Sequence, residues 1–124
     1  MIDFQNGTLV KLKQIDPKGL AKDLSVLLIE GEGVIAAFQG LRDKVVFTEK
    51  RVISVNVQGL TGKKVDYTSL PYSKIQAFSV ETAGRLDLDS EMELWFSGLG
   101  KVRFEFKGKV DIRSLAQLLA RHTL

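Results

Sequence analysis

Three lysines stand out for the chemistry they could do: Lys63 and Lys64 beside Gly62, and Lys74 after the Leu70-Pro71 break. A glycine loosens the backbone into a loop, and adjacent ammonium groups can meet phosphate or an anionic membrane. Each near-surface charge contributes about 1 kcal/mol on an anionic leaflet. Lys63, Lys64 and Lys74 therefore form the candidate site for an anionic headgroup, set against the plainer reading of a solvated hairpin tip. The stretch is not a P-loop, because Gly59-Leu-Thr-Gly62-Lys63-Lys64 has shorter spacing and precedes a strand instead of a helix. Asp87, Asp89 and Glu91 alternate and could present three carboxylates on one strand face to a hard cation. The calcium-loop spacing is absent, so charge pairing across the sheet is the preferred reading and no metal site is expected. His122, the one histidine, lies near the chain end with no visible partners for base catalysis or metal ligation. Trp95, Arg103, Tyr67 and Tyr72 are of the types enriched where proteins touch, and are the candidate oligomer interface. For Trp95 the alternative is an indole stacked on a cation, and for the tyrosines a lock on the Pro71 corner. No catalytic set emerges, so neither an enzyme nor a cofactor is expected.

The chain has 124 residues, 44% of them hydrophobic and 27% charged, which suits one packed domain over 1–124. Eighteen Lys and Arg against fifteen Asp and Glu leave a net charge of +3. Bases and acids are interspersed, as in Arg42-Asp43-Lys44 and Glu49-Lys50-Arg51, so no nucleic-acid partner is expected. With no cysteine there is no disulfide and no thiol nucleophile. The start, MIDFQNGT, lacks the pattern of a secretory signal, and no apolar run is long enough to span a bilayer. A cytoplasmic location is expected, with the inner face of the membrane as the peripheral alternative.

The elements that must position these residues change period along the chain. After an Asn6-Gly7 turn signal, Thr8 to Leu12 reads as either strand or helix. Asp16-Pro17 then marks a helix start, and Leu20, Leu24, Leu27 and Leu28 make one apolar stripe, predicting a helical segment over about 16–30. From Val34 the chain turns to strands, making a barrel over about 34–107. Val45–Glu49 and Val52–Gln58 read as separate strands or one long bent strand, with Ile53, Val55 and Val57 on an apolar face. Lys64–Thr68 reads as a short edge strand and Ile75–Glu81 as the next. Arg85–Asp89 also alternates. Met92, Leu94 and Phe96 face Val102, Phe104 and Phe106 across a hairpin turned by Gly98-Leu-Gly100. Asp111 is a good N-cap for a helix over about 111–123, with Ile112, Leu115, Leu118 and Leu119 on its apolar stripe. Arg121 and His122 suit the negative end of that helix dipole.

Two stretches carry a resemblance: RDKVVFTEKRVISVNVQGLTGKKVDYTSLPYSKIQAFSVET and LDLDSEMELWFSGLGKVRFEF, followed by the last helix. The chain closely resembles the bacterial pleckstrin homology domain family over nearly its whole length. Phe47-Thr-Glu-Lys-Arg51 and Ser69-Leu-Pro-Tyr-Ser-Lys-Ile75 are the most specific parts. The resemblance implies a mainly-β fold, a pleckstrin-homology-like bent antiparallel barrel of about seven strands. A C-terminal helix caps it and an N-terminal helix precedes it. It implies homo-oligomeric rings and no established enzyme activity. Eukaryotic relatives that bind phosphoinositides place their bases between the first two barrel strands. Here Leu41-Arg-Asp-Lys44 is too short and carries an acid, so that lipid pattern does not transfer. The expected function is a non-enzymatic scaffold that forms a homo-oligomer or engages a protein partner. The alternative is an adaptor on an anionic membrane surface. A barrel mouth holding a small ligand ranks last.

Overall fold

Period-two alternation of β-branched and aromatic residues against polar ones accounts for most of the chain. The computed structural model describes Met1, Phe4, residues 9–58 and residues 64–124. The elements are β1 (Leu9–Ile15), α1 (Lys18–Asp23), β2 (Val34–Gln39), β3 (Asp43–Thr48), β4 (Arg51–Gln58) and β5 (Lys64–Pro71). A 3-10 turn (Tyr72–Lys74), β6 (Ile75–Glu81), β7 (Ser90–Phe96), β8 (Gly100–Phe106) and α2 (Ile112–Thr123) follow. The turn signals at Asn6-Gly7 and at Gly59 and Gly62, together with Lys63, lie outside the described residues.

Eight strands form one curled sheet in the order β5-β4-β3-β2-β1-β8-β7-β6, a half-barrel of the expected kind with one strand more than the seven or so expected. The extra strand is β1, which the ambiguous Thr8–Leu12 stretch concealed. Its end pairs antiparallel with β2 through Lys13, Gln14 and Ile15. Its beginning pairs parallel with β8, so the sheet is not wholly antiparallel. Four residues of β1, Leu9 to Leu12, stand against only three of β8, Phe104 to Phe106, and Lys11 has φ 55°. This bulge brings Leu9 and Leu12, three apart, to the same interior, which strict alternation forbids.

The concave face holds the larger core. Phe38, Phe47, Phe104 and Phe106 meet there with centroids 4.7–6.4 Å apart, among Leu9, Leu12, Val52, Met92, Leu94 and Val102. All of the Met92–Phe96 and Val102–Phe106 apolar set is buried, and the hairpin register pairs Leu94 with Val102 and Met92 with Phe104. Gly98 and Gly100 turn this hairpin at φ 82° and 91°, a region side chains rarely adopt. Helix α2 seals the core with Ile112, Leu115, Leu118 and Leu119. Asp111 caps it by accepting from the Ser114 amide at 3.1 Å.

A second, smaller core sits on the other face of β2–β4. There Leu20 and Leu24 cover Ala37, Val46, Ile53 and Val55, with Leu27, Leu28 and Val34 half-buried beside them. The apolar face of β4 thus turns away from the barrel interior, toward the N-terminal segment. β3 and β4 are separate strands of one hairpin, since Phe47 pairs with Val52 and Asp43 with Asn56. The expected helix over 16–30 shrinks to six residues, Lys18–Asp23. Asp16 does accept from the Lys18 amide, but Gly19 weakens the first turn and the Ser25 hydroxyl takes the Lys22 carbonyl. Turns at Leu24–Leu28 continue the leucine stripe without a helix.

Candidate functional site

Lys64 opens β5 and Lys74 closes the 3-10 turn after it. Eight strand residues at about 3.3 Å each hold them more than roughly 20 Å apart along the strand, so they do not converge. Both are exposed. Trp95 is half-buried on the outer face of β7, opposite Ala77 and Lys101. Arg103 shares that face and bonds Glu91, with Glu105 3.9 Å away, while Lys101 meets Glu93 at 3.0 Å. Tyr67 is exposed on β5, at one end of the sheet and away from the β7–β8 pair. Tyr72 is buried within the chain and donates its hydroxyl to the Thr48 carbonyl at 2.7 Å. Its expected place on an outer contact surface is therefore corrected: it locks the Pro71 corner. Burial pushes its phenol well above the usual range, with the Glu32 charge adding to the shift.

Asp87, Asp89 and Glu91 do not share a face, because residues 82–89 form a loop. Asp87 accepts from the Asp89 amide, Asp89 accepts from the Gly108 amide, and Glu91 binds Arg103. Among the described residues no group of three His, Asp or Glu side chains is arranged to hold a metal ion.

The strongest polar cluster was missed in the sequence. Glu32, its side chain fully buried, takes a fork of hydrogen bonds from Arg51 at 2.9 Å each. The Thr48 hydroxyl donates to Glu32 at 2.6 Å and the Ile29 amide at 3.2 Å. Arg51 also donates to the Leu27 carbonyl at 2.6 Å and to the Ser69 hydroxyl at 2.8 Å. Burial pulls the Glu32 carboxyl up, but the bonds from Arg51, Thr48 and Ile29 outweigh it and hold it below the usual range. The signal in the sequence was an acid between two glycines, Gly31 and Gly33. Gly31 sits at φ 81° and swings Glu32 inward. This cluster ties the N-terminal segment to β3, β4 and β5, and its groups satisfy one another.

Two grooves open on the surface of the described residues. One of about 520 Å³ lies between α1 and the β4–β5 end of the sheet, with Leu24, Val57, Val65 and Tyr67 among its walls and exposed Leu41 at its mouth. The other, about 900 Å³, is bounded by the β3–β4 turn, the 3-10 turn and the last turn of α2. Glu49, Lys50, Tyr72, Ser73, Arg121 and His122 line it over an apolar floor. The His122 ring lies 5.5 Å from that of Tyr72 at 32°. From sequence, Arg121 and His122 read as complements to the helix dipole, with no partner visible for the His122 imidazole. Lys50 was one base among interspersed charges, and only folding unites the three. No helix among the described residues is long and apolar enough to cross a membrane.

Comparison with known proteins agrees with this architecture. The chain is 45% identical over 119 residues to Uncharacterized protein YjqA of Bacillus subtilis (strain 168), covering 94% of this chain and 95% of that one. It is 31% identical over 102 residues to Uncharacterized protein YozO of the same organism, covering 82% and 88%. A crystal structure of a protein with a pleckstrin-homology domain from Shewanella loihica PV-4 superposes with TM-score 0.79 at 37% identity, covering 93% of this chain and 99% of that one. A pleckstrin homology domain from Shewanella amazonensis SB2B gives 0.66 at 40% identity, covering 96% and 93%. The family model for the bacterial PH domain matches residues 3–123. With a sheet curled around phenylalanines, a helix closing it and that match over nearly every residue, the chain belongs to the bacterial PH domain family.

Proposed function

We propose that this PH-like domain is a non-enzymatic scaffold that assembles with copies of itself. The observation that carries the reading is the pair of open ends on one sheet: β5 and β6 each have a neighbour on one side only. Unpaired strand edges offer backbone donors and acceptors to another chain. When β5 of one copy meets β6 of the next, the contact is head-to-tail, and such contacts close into rings when the rotation permits. Exposed Val65 and Tyr67 on β5, and half-buried Trp95 with Arg103 on β7 and β8, supply side chains for contacts beside those edges. Light scattering should give a mass several times 13.8 kDa. A monomer at micromolar concentration would rule the assembly out. The membrane-adaptor reading loses support from the separation of Lys64 and Lys74. Flotation with anionic vesicles tests it, and capture abolished by Lys64→Glu would restore it. A cytoplasmic location accords with either reading.

A further inference from the structure

The 900 Å³ groove has a composition that neither the assembly nor the fold explains. Lys50, Arg121 and His122 come from two distant parts of the chain, a strand turn and the last turn of a helix, yet line one space. All three are exposed, and none has a side-chain hydrogen bond or ion pair among the described residues, whereas Arg51, Arg103 and Lys101 are paired. Ser73 adds a hydroxyl and Glu49 the one carboxylate. Below them lie Ile35, Pro71 and Leu118. Tyr72 is buried and its hydroxyl is engaged by the Thr48 carbonyl, so here it only backs the His122 imidazole, whose ring lies 5.5 Å from its own.

Two cations, a hydroxyl and an imidazole suit an anion with several oxygens. A guanidinium fork with an ammonium point charge is a common phosphate-binding pair. The apolar floor and the imidazole face suit a flat body attached to that anion. We propose that this groove binds a small phosphomonoester bearing a flat ring. Lys50, Arg121 and Ser73 take the phosphate, and His122 and Pro71 hold the ring. Glu49 on the same wall repels a second anionic group, so one phosphate is preferred to a polyanion. The phosphate-binding residues stand apart from assembly through β5 and β6, because Lys50, Ser73, Arg121 and His122 lie outside both strands and only Pro71, the last residue of β5, belongs to either.

The test is titration of the intact chain with phenyl phosphate and with inorganic phosphate, followed by amide shifts in NMR. Saturable shifts confined to Lys50, Ser73, Arg121 and His122 are expected, with phenyl phosphate the tighter of the two and a Kd on the order of 1 mM. Lys50→Ala and Arg121→Ala should each weaken binding about fivefold or more, and added salt should weaken it further. Lys64→Ala and Lys74→Ala should leave it unchanged. Both groove substitutions are at exposed side chains, and circular dichroism checks that the fold is kept. Equal affinity for the two probes would remove the ring contact and with it the proposal. Loss of response in none of the groove variants would also overturn it. So would capture by phosphatidic acid vesicles without any response to phenyl phosphate, which would give the groove to a lipid surface.

Discussion

Replacing Arg51 by Ala leaves the Glu32 carboxylate buried with only the Thr48 hydroxyl and the Ile29 amide beside it. Losing one member of a buried pair costs about 3–5 kcal/mol, and Arg51 is partly exposed, so about 3 kcal/mol is expected in urea unfolding. A Glu32→Gln, Arg51→Met double variant should recover much of that loss, because no charge is then left without a partner. The pH profile follows from the same contacts. A carboxyl held below its unfolded value contributes stability that is fully present above about pH 4.3 and is lost as pH falls through the lower folded value. In Arg51→Ala the largest lowering contact is gone while the burial remains, so that acid limb should flatten in denaturation midpoints taken from pH 6 down to about pH 3. Sequence reading passed over this pair because 19 residues separate its members and each reads locally as a loop charge. For Tyr72 it offered a lock on the Pro71 corner beside the contact surface, but it did not name Thr48 as the partner, because 24 residues separate the two.

Among the elements, α2 was the most legible. Its cap, its stripe of Ile112, Leu115, Leu118 and Leu119 and its basic last turn are local features, and each is where local rules put it. Asp111→Ala should cost about 1 kcal/mol by losing the Ser114 amide bond. Leu119→Ala should cost about 2–5 kcal/mol by opening a cavity over the phenylalanine cluster. Thermal unfolding measures both, and a Leu119→Ala variant as stable as the parent would mean that α2 does not close the core. The β7–β8 hairpin was equally plain, since its alternation is strict and its glycines mark the turn. β1 was not: its leucines and valine fit either period, and the choice was made by contact with β2 and β8. α1 starts where Asp16-Pro17 signals it but stops at Asp23, well short of the expected end near residue 30. β4 misled differently: Ile53, Val55 and Val57 form a true apolar face, but alternation does not say which side of the sheet will carry the larger core.

At the scale of the whole molecule, the family resemblance foretold the curl and the closing helix, whereas the strand order needed coordinates. Assembly is tested at this scale too. Trp95→Ala should lower the mass in solution if the β7–β8 face lies between copies, while an unchanged mass would confine the contact to the strand edges. The parallel junction of β1 with β8 has a consequence for how the protein is made. β1 is the first strand to leave the ribosome and β8 the last, yet they are neighbours at the centre of the sheet. Until Phe104 and Phe106 have been synthesised, Leu9 and Leu12 lack the wall they rest on. The nascent chain therefore carries an unfinished, sticky surface from the synthesis of β1 until that of β8. Deleting residues 1–14 should leave that surface permanently open, sending the product into aggregates instead of a smaller soluble barrel.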